Sequence, residues 1–104
     1  MSGFAVRIEG DSRIVVMGEV DMASEPQIAS AIDSLHRSGA SRVVLDLAGV
    51  SFMDSTGLAG LVHGRAQLES RGGILVLGPL STQVQVLLRT VGLESTFVHE
   101  SPLG

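Results

Sequence analysis

Val43-Val-Leu-Asp-Leu-Ala-Gly-Val-Ser-Phe-Met-Asp-Ser-Thr-Gly-Leu58 is the stretch on which the fold turns. Its first part, Val43 to Leu47, is a nearly continuous apolar run, the pattern of a strand covered on both faces. Its last part, Asp54-Ser55-Thr56-Gly57, has the form of a helix start. With Asp54 as N-cap, the carboxylate accepts from the backbone N–H of residue 56 or 57 and leaves the Ser55 hydroxyl in the first turn, pointing outward. A buried strand that runs through a loop into a capped helix is half of a βαβ unit. The other half follows: Leu58, Leu61, Val62 and Leu68 give a helical stripe, Gly72-Gly73 ends it, and Ile74-Leu-Val-Leu77 is a second apolar run. The two runs are expected to be parallel central strands.

Upstream, Phe4 to Glu9 and Arg13 to Met17 are β-branched-rich segments on either side of Gly10-Asp11-Ser12, the signature of a hairpin. Ser24-Glu-Pro-Gln27 matches a capping box with Ser24 as N-cap and Pro26 in the tolerant first turn. Ile28, Ala31, Ile32 and Leu35 then form one helical stripe that stops at Gly39. Downstream, Val84, Leu87, Leu88 and Val91 give a third helix ending at Gly92, and Phe97-Val98 suits a last short strand. The expected fold is a single α/β domain over residues 1–104, in the order ββαβαβαβ: a mixed, mostly parallel sheet with an N-terminal hairpin and packed helices, its parallel strands joined by right-handed crossovers.

Composition narrows the chemistry. The net charge is −4, and the seven basic residues are all arginines scattered along the chain, so direct nucleic acid binding is not expected. Without lysine there is no Schiff-base chemistry and no P-loop lysine. Without cysteine there are no disulfides, thiolate nucleophiles or cysteine-ligated metals. No apolar segment approaches the ~20 residues that span a bilayer, so membrane insertion is not expected and a cytoplasmic location is.

A phosphate on Ser55 would face the positive end of the helix dipole, so the fold should tolerate one there, although the four residues taken alone also suit a plain capped helix start. His36, His63 and His99 lack metal-ligand spacing, and no metal or other cofactor is expected. Met17, Met22 and Met53 suit gap-filling in the core, and only Met53, beside the motif, suggests an interface. Gly60 and Gly64 suggest a close internal approach of another element. Ser55 lacks the Gly-x-Ser-x-Gly elbow of a hydrolase, and Asp46 lacks the lysine that a receiver-type phosphoaspartate needs. The protein is expected to be a substrate of modification rather than an enzyme.

The chain resembles the STAS family, especially its bacterial anti-sigma factor antagonists. The likeness runs through the N-terminal hairpin, Gly18-Glu-Val-Asp21, Val44-Leu-Asp-Leu47, the Phe52-Met-Asp-Ser-Thr-Gly-Leu58 segment and Gly92-Leu93. It implies that Ser55, with Thr56 the lesser candidate, is phosphorylated by an anti-sigma factor with serine kinase activity, and that a serine phosphatase reverses this. The unphosphorylated protein would capture the anti-sigma factor and free a sigma factor. Asp21, Met53, Asp54, Ser55, Thr56 and Gly57 are the implied partner-binding residues. The alternative implied by the same resemblance is an adaptor subunit of a stress-signalling assembly or of a lipid ABC transporter.

Overall fold

The computed structural model describes residues 3–100. Two antiparallel strands, β1 (Phe4–Glu9) and β2 (Arg13–Val20), open the fold. They are followed by α1 (Glu25–Arg37), β3 (Arg42–Met53), α2 (Ser55–Ser70), β4 (Ile74–Leu80), α3 (Thr82–Thr90) and β5 (Val98–His99). The five strands form one sheet in the order β1-β2-β3-β4-β5, parallel from β2 onward. The expected order ββαβαβαβ is the observed one.

The strand order never reverses, and this determines where the helices lie. Parallel crossovers are right-handed, so successive crossovers that step in one direction place α1, α2 and α3 on the same face. Ile28, Ile32 and Leu35 of α1, Leu58, Leu61 and Leu68 of α2, and Val84 and Leu88 of α3 accordingly join Ile14, Val16, Val43, Leu45, Leu47, Leu75 and Leu77 in a single core. The expected cover on both faces of β3 and β4 is present, by helices on one face and by side chains on the other. Val15, Val44 and Val76 are also buried, but they alternate with the core residues along their strands and stand outside that core.

Side chains close this second face. From β2, Arg13 reaches across the sheet to Asp46 of β3 at 3.2 Å and to Glu100, just past β5, at 3.0 Å. Gly78 of β4 leaves room for it, since a Cβ there would lie 3.4 Å from the guanidinium and 3.2 Å from Val44 Cγ1. All three charged side chains are less than a third exposed. Truncating Arg13 strands two partly buried carboxylates, and hydrogen bonds to charged groups are worth about 1.5–3 kcal/mol each before solvent screening. Arg13→Ala is expected to lower stability by about 1–2 kcal/mol in urea unfolding; an unchanged midpoint would show that the clamp is idle.

Several helical expectations shift by a face. In α2, Val62 points outward while Gly57 joins Leu58, Leu61 and Leu68 inside. In α3, Val84 and Leu88 are buried and Val91 is exposed. The close approach expected at Gly60 is present: a Cβ there would overlap the Glu25 side chain of α1. Phe97 is buried, with the Arg65 guanidinium 5.6 Å from its ring centroid.

Candidate functional site

The site forms where β2 and β3 end and α2 begins. The Asp54 N–H donates to the Val20 carbonyl at 3.3 Å, so the last residue of β2 is bonded to the residue that caps α2. Asp21, following Val20, and Ser55, following Asp54, are thereby brought to the same end of the sheet. The loop expected before the motif is absent: β3 runs unbroken to Met53, and helix begins at Ser55.

Asp54 caps as expected. Its backbone is extended, and its carboxylate accepts from the Gly57 N–H at 2.9 Å. No acidic residue occupies the first turn of α2 itself, so within the cap and first turn Asp54 is what offsets the positive end of the helix dipole. Ser55 and Thr56 are exposed. Gly57 is buried, because a Cβ there would lie 2.8 Å from the Val20 carbonyl oxygen and 2.9 Å from its Cγ1. Only a bare backbone lets α2 start this close to β2.

Met53 lies inside, at 6% exposure, and this corrects its expected place on an interface. The cause is the shape of β3, which buries Leu47, Val50 and Met53 at intervals of three. Its pairing with β2 jumps from Val15↔Asp46 to Met17↔Gly49, and again from Gly18↔Val50 to Glu19↔Phe52. Each jump is a bulge that re-aims the following side chains. The second turns Met53 inward and leaves Phe52 half exposed, at 50%. Phe52 is the apolar residue that sequence reasoning passed over; the glycine at position 49 within a strand was the available signal of a bulge.

The capping box at α1 is also corrected. Ser24 makes no side-chain cap; its buried hydroxyl accepts from the Asp21 N–H at 2.9 Å and donates to the Glu19 carbonyl at 3.0 Å. The entry to α1 is organised by Asp21, whose Oδ1 accepts from the N–H groups of Ala23 and Ser24, both at 3.0 Å. These bonds to Ser24, foremost its N–H, hold the Asp21 carboxyl below its usual range. A carboxyl held low contributes above its ordinary pKa and loses that contribution as pH falls through the folded value. The Asp21 turn is therefore expected to loosen only below about pH 4. Asp21→Asn should reduce the acid sensitivity of amide exchange at Ala23 and Ser24, and an unaltered pH profile would refute this.

Beyond Ser55 the side of α2 that faces Leu93 carries mostly apolar side chains. Ser55, Leu58, Ala59, Val62 and His63, with Leu93, line one shallow groove that begins at the serine. Of the other histidines, His36 Nδ1 meets the Ala40 carbonyl at 3.1 Å and His99 Nε2 meets that of Glu94 at 2.6 Å. Among the described residues no group of three or more His, Cys, Asp or Glu side chains is placed to hold a metal ion. No described helix is long and apolar enough to cross a membrane.

Residues 4–99 match the family model described as Mlab, STAS domain. The chain belongs to the STAS family. This STAS chain is 34% identical over 86 residues to the anti-sigma-B factor antagonist of Bacillus subtilis (strain 168), an alignment covering 83% of this chain and 78% of that one. To the anti-sigma-B factor antagonist of Listeria monocytogenes it is 35% identical over 80 residues, covering 77% and 70%. Its fold superimposes on the crystal structure of an anti-sigma factor antagonist from Mycobacterium paratuberculosis with a TM-score of 0.75 at 24% identity, over 99% of this chain and 88% of that one. That last likeness shows the fold. It places this STAS domain's mixed sheet and helices in an architecture that solved relatives share.

Proposed function

We propose that this protein is a cytoplasmic anti-sigma factor antagonist, a regulatory binding protein rather than a catalyst, with Ser55 as its phosphorylation switch. The observation that carries this reading is an exposed Ser55 at the start of α2, beside a cap already satisfied by Asp54 and at the mouth of an apolar groove. The two curated relatives, both anti-sigma-B factor antagonists, support the class of partner: an anti-sigma factor, here one with serine kinase activity.

In this reading the unphosphorylated Ser55 face, with Asp21, Asp54 and Thr56 around it and Phe52 as a further apolar contact, docks on the anti-sigma factor and frees a sigma factor. Met53 and Gly57 act from beneath, by setting the position of the helix start. Phosphate on Ser55 adds about −1.5 to −2 charge next to Asp54. The dianion suits the helix N-terminus but not a desolvated interface, so the complex separates until a serine phosphatase removes it.

The test is phosphopeptide mapping of the protein from its own cells. Cleavage after arginine releases residues 43–65, which contain Ser51, Ser55 and Thr56. Phosphate on Ser55 under some growth condition is the expected result. A peptide that stays unmodified across growth and stress conditions would refute the switch and favour the adaptor reading.

A further inference from the structure

Among the described residues the outer edge of β1 is unpaired, because β1 lies at the end of the sheet with only β2 beside it. Exposed strand edges invite a further strand. This one also carries a half-exposed apolar residue, Ile8 at 43%, between two exposed side chains of opposite charge, Arg7 and Glu9. Arg7 and Glu9 occupy one face of the sheet and Ile8 the other, as the β1–β2 register shows.

We propose that β1 is a self-recognition edge, through which two copies of this chain pair antiparallel about a twofold axis at Ile8. A twofold axis perpendicular to the sheet keeps residues of one face opposite residues of the same face. Centred on Ile8, it places Arg7 opposite the partner's Glu9 and Glu9 opposite the partner's Arg7, with the two Ile8 side chains meeting on the other face. Centred on Arg7, it would set like charges against each other. Centred on Val6, it would set Arg7 against Ala5 and Glu9 against Gly3, leaving both charges unmatched. Among these, the Ile8 register is the one that pairs both charges.

The surface beside the edge suits the same arrangement. The groove between β1 and α1 is lined by Val6, Ile8, Gln27, Ser30, Ala31 and Ser34 with Arg7, so the α1 side chains within it are all uncharged. In the single chain, Arg7 and Glu9 pair with each other along the strand at 2.7 Å. In the dimer each exchanges that exposed intrastrand bond for a cross-strand one. The proposal depends neither on the Ser55 switch nor on its partner.

The experiment is sedimentation of the full chain over a range of concentration. The wild type is expected to rise from its 10.8 kDa monomer mass toward twice that value. Arg7→Glu and Glu9→Arg each turn two opposite-charge cross-strand pairs into like-charge pairs and should weaken association by about tenfold or more. Both positions are exposed, so the monomer fold is spared. The double exchange R7E/E9R restores both pairs and should restore the dimer. An equimolar mixture of the two single variants should associate more tightly than either alone. A wild type that stays monomeric at millimolar concentration overturns the proposal and leaves the edge open to a strand from another protein. A double exchange that behaves like the single variants overturns the register.

Discussion

Ser55→Glu is expected to weaken capture of the anti-sigma factor by about 100-fold, or about 2.7 kcal/mol, while leaving the fold intact. The two halves of that statement have separate causes. The fold is spared because Ser55 is exposed and opens a helix whose first turn has no acidic residue, where a negative charge gains about 0.3–1 kcal/mol from the helix dipole. Capture is lost because the new carboxylate sits beside Asp54 and at the head of the α2 groove. There, docking must strip water from both charges, and like-charge juxtaposition costs several kcal/mol. Ser55→Ala separates the effects: it should bind within a few-fold of wild type and become indifferent to kinase and ATP. Titration calorimetry with the anti-sigma factor, alongside thermal unfolding, reads both. A Ser55→Glu protein that binds like wild type would sink the switch.

Gly57→Ala should destabilise the protein by about 1–3 kcal/mol, although the same replacement within an ordinary helix gains about 1 kcal/mol. The added methyl would meet the Val20 carbonyl oxygen at 2.8 Å, Val20 Cγ1 at 2.9 Å and Met53 Cγ at 3.0 Å. One of these is backbone, bonded in turn to the Asp54 N–H, and it cannot swing aside. Relief requires α2 to lift from the end of β2, which opens the Val20–Asp54 bond. Gly64→Ala is the contrasting case. Its Cβ would make only the edge of ordinary contact, 3.4 Å from Ile32 Cδ1, so helix propensity should win and raise stability. Opposite signs for the two substitutions in chemical denaturation are the expected result; matching signs would refute the packing argument at Gly57.

The element order, the position of α2 and the Asp54 cap were legible because each rests on local information. The apolar runs at Val43 and Ile74, the short polar cap and the helical stripes all declare themselves within a few residues. Four features depend on what lies across space. That all three helices cover the same face of β3 and β4 follows from strand order, which no single strand encodes. The outward turn of Phe52 and inward turn of Met53 follow from bulges defined against β2. Ser24 has the right neighbours for a capping box, yet its hydroxyl finds the Glu19 carbonyl and the Asp21 N–H, which a linear pattern does not place beside it. The Arg13 clamp on Asp46 and Glu100 joins residues far apart in the chain, beyond the reach of any spacing rule.

A sheet whose spatial order repeats its chain order can be built in the direction of synthesis. Each strand, as it leaves the ribosome, finds its neighbour already at the growing edge, and none has to be threaded between two others. Each crossover joins strands that are neighbours in the sheet, which keeps the entropy of closure low. An assembly from the N-terminal hairpin outward would leave the contacts of β5 and of Glu100 with Arg13 until last. In that order the clamp across the second face would be a fastening made at the end of folding, joining the second strand to the last described residue.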